Sequence, residues 1–335
     1  MQWLYLCKLD GRTLPQQVQA ANAYLTKLLK KEVKNQSIYE KALSAIILQN
    51  KTYVQSIKEY TVWREDMGRY FDTPRAGYSW HDYRIPTQVA AIEAIQMLTP
   101  ADTQTIMEMQ RWLLQEKRTQ AWSTPINSVN AVYAFLHGNQ QALSIEEQQT
   151  VLAIDGKVLD LPKATAGIGY VKTVVTNEQP KTFSAEKTSE GTSWGALYMQ
   201  FMQKTTEIAD QGSEITVKRE IISGGTEPLQ VGDRVKVRVT IVAARDLDFV
   251  QIVDKRAACM EPVEQLSGYR RGVYCSPKDY TTHYYMDRLA KGKHILETEY
   301  YIDRIGVYET GTCTVQCAYA PEFRATCTSK NIVVK

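Results

Sequence analysis

The chain has 335 residues, of which 44% are hydrophobic and 23% are charged, and its formal net charge is +3. The composition is that of an ordinary globular protein, and the length predicts two or three domains. A small net charge without long basic runs excludes the pattern of a nucleic-acid-binding protein, so we expect no nucleic acid partner.

The start of the sequence shows no targeting signal. Residues 1–7 lack the basic start and the apolar length of a signal peptide, and they resemble the middle of a helix. We therefore expect the natural protein to extend upstream of Met1. No stretch holds eighteen consecutive apolar residues, so we expect no membrane span.

Residues 1–143 carry helical patterns, because apolar side chains recur every three or four positions. Short links between these segments predict antiparallel helix pairs in a bundle, a solenoid or an α/α toroid. The apolar stripes are Val18, Ala21, Leu25, Leu28 and Leu29; Leu43, Ile46 and Ile47; Val54, Ile57 and Tyr60; Val89, Ile92 and Ile95; Ile106, Met109 and Leu113; and Val129, Val132 and Leu136.

Residues 65–84 form a long link without a clear period, and they hold four carboxylates and five aromatic residues. A sugar-cleaving enzyme needs two carboxylates across an aromatic-lined cleft. Asp72 and Asp82 are candidates for such a pair, which would make the chain a carbohydrate-active enzyme with a β-sandwich carbohydrate-binding module. The alternative is a surface loop pinned by its own aromatic residues, and the loose spacing of the acids favours this alternative.

Residues 144–210 predict a small β unit. Predicted strands at 150–154 and 157–161 flank Asp155 and Gly156, a strong hairpin signal. Further strands are predicted at 167–175, 182–187 and 193–201. Four or five short strands bury too little surface to be stable alone, so we expect this unit to pack on a neighbour.

Residues 193–201, which we name the joint segment, lie where the helical pattern has ended and strict alternation is about to begin. The apolar run predicts a buried strand. We expect Trp194 and Tyr198 to pack at or near an interdomain contact, with Trp194 largely buried. Gly195 should permit close approach of the backbone.

Residues 211–335 alternate between apolar and polar side chains, as in Val235, Val237, Val239 and Ile241, which should face inward. About seven strands predict an antiparallel β-sandwich. The predicted fold class is therefore multidomain α and β, with toroid-like helix pairs, a small β unit and a C-terminal antiparallel β-sandwich.

Six cysteines are present, and five of them lie in the last domain. Cys313 and Cys317 would share one face of a strand about 13 Å apart, which is too far for a disulfide with each other. Each is therefore free or pairs elsewhere, and the sequence leaves the partner open. The candidate disulfide cysteines are Cys259, Cys275, Cys313, Cys317 and Cys327, whereas Cys7 lies in an apolar run and is predicted to be a core residue.

No motif indicates catalysis or a bound cofactor. The four histidines are scattered, and no C-x-x-C pair suggests zinc. A nucleophile elbow and a phosphate-binding glycine loop are also lacking. We expect no catalytic residue, no metal and no cofactor.

The order of the segments resembles the C-terminal end of a bacterial alpha-2-macroglobulin-like protein, of the Bacteroidetes type. Residues 83–94 and 120–134 resemble helices of the α/α-toroid thioester domain, and the joint segment resembles the end of the CUB-like β unit beside it. Residues 229–235, 261–269 and 317–323 resemble the final macroglobulin domain. The resemblance implies three parts: residues 1–143 as part of the toroid, 144–210 as the CUB-like unit and 211–335 as the macroglobulin-type sandwich.

Proteins of this family are protease traps, in which a protease cuts a bait region and the body closes around it. In many members a thioester between the Cys and Gln of a C-x-E-Q motif then links to the protease. The given sequence does not contain the motif, because the nearest string, at residues 259–262, has Pro262 in place of the Gln. The motif either lies upstream or is missing from this member of the family. The resemblance implies a non-catalytic part of a protease inhibitor, with proteases as partners. It also implies the periplasm or cell surface, where disulfides form.

Overall fold

A computed structural model describes residues 1–11, 15–31, 36–73, 83–122, 124–137, 150–162, 170–176, 180–187, 193–223 and 228–335. These residues divide into two compact units. The first unit contains Met1–Leu114 and Trp122–Leu197, and the second contains Gln115–Ala121 and Tyr198–Lys335. The division into three parts at residues 143 and 210 stays a prediction.

The described residues contain seven α-helices, one more than the six apolar stripes predict. A capping box starts the third helix, because the Ser37 hydroxyl accepts from the backbone N–H of Glu40 and the Glu40 carboxylate accepts from that of Ser37. The helices are α1 Gln2–Asp10, α2 Gln16–Lys31, α3 Ile38–Leu48, α4 Lys51–Lys58, α5 Arg84–Leu98, α6 Thr103–Thr119 and α7 Pro125–Leu136.

Helix α5 forms the centre of the first unit, because eleven of its fifteen residues are buried. Its predicted stripe of Val89, Ile92 and Ile95 is confirmed. A helix buried to this extent also encloses polar side chains, and these need hydrogen-bond partners. The Gln88 amide nitrogen accordingly donates to the backbone carbonyl of Met109 at 3.1 Å.

Helix α7 turns a different face inward from the predicted one. Val129 is 68% exposed and Val132 is also exposed, whereas Asn127, Ala131 and Ala134 are buried. The predicted apolar stripe of α2 is not buried as a whole either, because Leu29 is the one residue of the predicted set that is buried.

The contact between α7 and α5 explains why α7 buries a different face from the predicted one. Ala131 and Ala134 are small, so the two helices can approach closely. Polar bonds fix this arrangement, because the Tyr133 hydroxyl donates to Glu93 at 2.9 Å and the Gln110 amide donates to the carbonyl of Ala134 at 2.9 Å. The larger apolar residues of α7 are left on the outer face.

A hairpin of β1 (Thr61–Arg64) and β2 (Gly68–Phe71) begins just before the predicted long link, and its turn and second strand occupy the first part of the link. Gly68 has φ +88°, and a Cβ atom there would lie 2.4 Å from the backbone oxygen of Glu108. The glycine therefore lets the hairpin approach α6 closely. Arg69 secures the contact, since its Nε donates to the Glu108 carboxylate at 2.8 Å.

The small β unit contains a three-stranded sheet with the order β4-β3-β5. Its strands are β3 (Thr150–Ile154), β4 (Lys157–Val158) and β5 (Phe183–Lys187). The predicted turn is confirmed, because Asp155 and Gly156 both have positive φ, as a type I′ hairpin requires.

Two predicted strands of this unit are wrong. Residues 171–175 and the joint segment carry no strand, and the predicted residues 167–169 lie outside the described residues. The joint segment has exposed side chains throughout, so no buried apolar face favours pairing with a neighbour.

The second unit is built from antiparallel strands. A six-stranded sheet has the order β10-β11-β12-β8-β15-β16, a four-stranded sheet has the order β6-β7-β13-β9, and β14 pairs with β17. The strands are β6 Ile215–Ser223, β7 Arg234–Ala243, β8 Leu247–Lys255, β9 Met260–Pro262, β10 Gly268–Arg270, β11 Val273–Pro277, β12 Thr281–Leu289, β13 Gly292–Ile302, β14 Gly306–Glu309, β15 Cys313–Cys317, β16 Ala320–Cys327 and β17 Asn331–Val334.

The predicted antiparallel sandwich is confirmed, and so is the mixed α and β fold class. Val235, Val237, Val239 and Ile241 are all buried on one face of β7. The predicted count of about seven strands is too low, because β9, β10, β11 and β14 were not predicted and because the predicted strand at 312–319 ends at Cys317 and turns into a hairpin with β16. Its turn residues, Ala318 and Tyr319, carry none of the usual glycine or asparagine signals.

Candidate functional site

A buried ion pair connects the two large sheets of the second unit. Arg219 lies on β6 of one sheet and Asp254 on β8 of the other, with Arg219 Nη1 3.0 Å from Asp254 Oδ1. The side chains are only 7% and 2% exposed. The same guanidinium also donates to the carbonyls of Lys255 at 2.7 Å and Thr310 at 2.8 Å.

The electrostatics of this pair are dominated by burial. Burial raises the pKa of Asp254, because desolvation disfavours the charged carboxylate, while the Arg219 guanidinium acts in the opposite direction. A buried charge that is paired and hydrogen-bonded is tolerated, whereas an unpaired one is strongly destabilising. Arg219 and Asp254 therefore depend on each other.

Two cysteines lie beside the ion pair. Cys313 on β15 is directly opposite Cys327 on β16, and on its other side Cys313 is opposite Asp254. Both thiols are buried, with exposures of 0% and 4%. We name Arg219, Asp254, Cys313 and Cys327 the sandwich cluster.

The two thiols of the sandwich cluster are chemically unequal. A hydrogen bond from Cys313 lowers the pKa of Cys327 to about 7, because it stabilises the thiolate. The pKa of Cys313 is raised well above its ordinary value, because Cys313 donates that hydrogen bond and is buried. Cys327 is therefore the better nucleophile of the pair.

The other candidate cysteines lie apart from this pair. Cys259 and Cys317 are buried and Cys275 is partly exposed. The thiol of Cys317 points to the backbone oxygen of Asp248 at 3.4 Å. Burial raises the pKa of Cys259, Cys275 and Cys317, which makes these thiols less reactive. Cys7, which was predicted to be a core residue, is only partly buried.

The joint segment differs from its prediction in burial. Trp194 is 44% exposed and Tyr198 is 58% exposed, so the predicted burial of Trp194 is wrong. The Trp194 ring makes one edge-on contact with Phe135 at 5.5 Å between centroids. A Cβ atom on Gly195 would meet nothing within 4 Å, so the predicted close backbone approach is also wrong.

The joint segment nevertheless holds the boundary between the two compact units, which falls between Leu197 and Tyr198. The role of Trp194, Gly195 and Tyr198 in interdomain packing stays a prediction. An apolar run predicts burial only when a packing partner covers it, and the sequence does not encode that partner locally.

The first unit contains a second polar cluster. Glu93 on α5 is only 3% exposed and accepts hydrogen bonds from the hydroxyls of Tyr133 on α7 at 2.9 Å and Tyr5 on α1 at 2.5 Å. Burial raises the pKa of both tyrosines, and the bonds to Glu93 act in the same direction. The carboxylate thus links three helices, and its partners make it a structural group.

The candidate sugar-cleaving acids are not brought together by the described residues. Asp72 is exposed directly after β2, and Asp82 lies outside the described residues. Within the described part of the chain, no group of three or more histidine, cysteine or acidic side chains could hold a metal ion. A helix long and apolar enough to cross a membrane is likewise not found there.

Comparison with known proteins gives a family for the second unit. Residues 202–322 match the family model of the bacterial alpha-2-macroglobulin MG10 domain. A search of curated protein sequences finds no match.

Solved structures of bacterial alpha-2-macroglobulins align with nearly the whole chain. Trypsin-activated alpha-2-macroglobulin from Escherichia coli is 12% identical, with 97% of this chain and 26% of that one covered and a TM-score of 0.45. The E. coli protein activated by porcine elastase is 11% identical, with coverages of 97% and 34% and a TM-score of 0.41. The Salmonella protein reacted with methylamine is 14% identical, with coverages of 97% and 24% and a TM-score of 0.35.

The chain therefore spans about a quarter to a third of the length of these three structures. The sequence match of residues 202–322 lies entirely in the second compact unit, where the antiparallel sandwich is observed. The resemblance to the C-terminal region of a bacterial alpha-2-macroglobulin-like protein, which the sequence predicts, is thus confirmed.

Proposed function

We propose that this chain is a non-catalytic part of an alpha-2-macroglobulin-like protease inhibitor, which traps proteases and protects the cell envelope. The observation that carries this proposal is the match of residues 202–322 to the MG10 domain family. The sandwich of that segment supports it, because its inward faces follow the alternation expected of a stable β domain.

The chemistry of the described residues supports a non-enzymatic role. Two of the buried acids, Glu93 and Asp254, are satisfied by hydrogen bonds from tyrosines and an arginine. Buried groups that are fully partnered stabilise a fold and are not poised to exchange protons with a substrate. The nearest string to a thioester motif, Cys259 to Pro262, enters strand β9, where Pro262 cannot supply the acyl group of a glutamine.

Proteases are the proposed partners, acting on the protein in its natural length. Trypsin and porcine elastase activate the E. coli alpha-2-macroglobulin of two similar structures, so these two enzymes are suitable probes.

The proposed location is the periplasm or the cell surface. Fractionation of cells, followed by detection with an antibody against residues 198–335, tests this location, and recovery only with cytosolic markers would contradict it.

The proposed function is tested with one protease and two substrates of different size. The protein in its natural length is incubated with elastase, and hydrolysis of a large protein substrate is compared with that of a short chromogenic peptide. A trap encloses the protease without blocking its active site, so we expect large-substrate hydrolysis to fall several-fold while peptide hydrolysis persists. Unchanged hydrolysis of the large substrate, or equal loss of both activities, would contradict the proposal.

A matched control separates this chain's contribution from that of the rest of the protein. A version without residues 202–335 lacks the segment that matches the MG10 domain. If the segment is part of the trapping body, this version should lose the selective effect on the large substrate. Retention of the full effect would show that the segment is dispensable for trapping.

A further inference from the structure

The sandwich cluster brings two thiols into the geometry of a cross-strand pair. Cys313 and Cys327 are register partners on the antiparallel strands β15 and β16. Directly opposed residues in such a pair have Cα atoms about 4.5–5.5 Å apart, depending on the hydrogen-bond pattern. This whole interval lies within the range of about 4.4–6.8 Å that disulfides span.

The other register relations disfavour alternative pairings. Cys317 lies at the opposite end of β15 and is the partner of Ala320, so no thiol faces it across the hairpin. Cys275 on β11 is opposite Tyr284. Cys259 comes directly before β9, which belongs to the four-stranded sheet, whereas β15 and β16 belong to the six-stranded sheet.

We propose that Cys313 and Cys327 form a disulfide in an oxidising compartment, and that Cys259, Cys275 and Cys317 remain thiols. The pair would close the β15–β16 hairpin at its open end, next to the ion pair of Arg219 and Asp254. This modification is independent of protease trapping, because it follows from the register of two strands.

The reaction is a thiol–disulfide exchange with an oxidant that itself contains a disulfide. The thiolate of Cys327 attacks one sulfur of the oxidant, forms a mixed disulfide and releases the first oxidant thiolate. Cys313 then gives up its proton, attacks the Cys327 sulfur and releases the second oxidant thiolate. Two electrons pass from the two cysteines to the oxidant, which leaves as two thiols after taking up the two protons.

The surroundings of Cys327 favour this order of attack. The hydrogen bond from Cys313 lowers the pKa of Cys327 to about 7, so Cys327 loses its proton more readily than Cys313. A surface cavity of about 310 Å³ opens beside the cluster, and Arg219, Thr310, Thr328 and Lys330 are among its lining residues. Glu220 lines the cavity as well, and Arg219 is already paired with Asp254, so charge does not select the oxidant. Glutathione disulfide is a suitable probe because it is a small-molecule disulfide.

The test counts thiols and identifies the linked peptides in the full chain. The reduced protein is exposed to glutathione disulfide, denatured and alkylated, and we expect the six thiols to fall to four. Trypsin then releases residues 305–324, which contain Cys313 and Cys317, and residues 325–330, which contain Cys327. These two peptides should be joined before reduction and separate after it.

The variant C317S assigns the bond, because it leaves Cys313 as the only cysteine of the longer peptide. We expect C317S to form the same linkage and C327S to form none. Linkage through Cys259, Cys275 or Cys317, or six thiols that persist in the folded wild-type chain under conditions that oxidise the denatured chain, would overturn the proposal. C317S and the wild type keep both proposed partners, so the result does not depend on the folding of C327S.

Discussion

The two compact units follow different rules for which residues face inward. In the second unit, alternation along the strands predicts the buried face correctly, as in Val235, Val237 and Val239 on β7. In the first unit, the apolar stripe of α7 lies outward and its alanines lie inward. A strand in one of two packed sheets has only two faces, so the alternation of its residues determines which face is buried. A helix can rotate about its axis through many orientations, so its neighbours determine which face is buried.

The comparison extends to polar residues. Each unit encloses a charged group, Glu93 in the first and Asp254 in the second, and each group is held by partners from other elements. Glu93 is satisfied by neutral hydroxyls, whereas Asp254 is paired with a cation. We therefore expect the loss of a partner to cost more in the sandwich than in the helical unit.

The largest expected effect is the loss of the buried cation. R219M leaves Asp254 without its ion pair, and we expect a loss of about 3–5 kcal/mol in the unfolding free energy of the second unit. The matched control is R238M, which breaks an exposed pair with Glu297 and should cost less than about 1 kcal/mol. Urea unfolding measures both, and equal losses would contradict the role of the buried pair.

The double variant R219M/D254L refines this result. Replacement of both partners by apolar residues removes the unpaired charge, so it should recover a large part of the stability that R219M loses. If the double variant is as unstable as R219M, the guanidinium acts mainly through its bonds to the carbonyls of Lys255 and Thr310.

The next effect tests close packing in the first unit. G68A places a Cβ atom 2.4 Å from the backbone oxygen of Glu108, in a conformation with φ +88°. We expect a destabilisation of about 2–3 kcal/mol. The control G11A has a similar positive φ but no atom within 4 Å, so it should cost about 1 kcal/mol. Thermal unfolding of both variants separates the effect of the clash from that of backbone strain. Similar losses of stability in G68A and G11A would argue against the close approach of Gly68 to the backbone of Glu108.

A smaller effect tests which face of α7 is buried. A131L adds volume to the contact with α5 and should cost about 1–2 kcal/mol. V129A shortens an exposed side chain and should change stability by less than about 0.5 kcal/mol. The opposite order of these two losses would support the orientation that the apolar stripe predicts.

The last prediction is a pH dependence in the reduced protein. Because the folded pKa of Cys327 is lowered from 9.0 to about 7, the folded state binds fewer protons between these values. Stability should therefore rise from pH 7 to pH 9, by at most about 1.4 kcal/mol per pH unit, and be lost as pH falls toward 7. Urea midpoints under a phosphine reductant measure the slope, which C327S should flatten and C317S should preserve.

Much of the sandwich was predictable because inward positions repeat every second residue. The same two-residue period indicates that two charged residues of the sandwich cluster face inward. Arg219 shares the inward phase of Ile215 and Val217, and Asp254 shares that of Val250 and Ile252. A charge at an inward position needs a partner, so the existence of an ion pair could be inferred from the sequence, although the identity of the partner could not.

The register of the thiols and the faces of the helices were not predictable in this way. The pairing of Cys313 with Cys327 depends on a hairpin whose turn at Ala318 and Tyr319 lacks a local signal. The exposure of Trp194 depends on whether another segment covers it. Both depend on which segment packs or pairs with which, and local periodicity does not encode this.

The central claim is that this chain belongs to a body that encloses a protease after cleavage. Size-exclusion chromatography of the natural-length protein with elastase, followed by mass spectrometry of the main peak, tests this claim directly. We predict that active elastase co-elutes with the protein and that elastase inactivated at its active site does not. Elution of active elastase at its free position, or equal retention of both forms, would contradict the account.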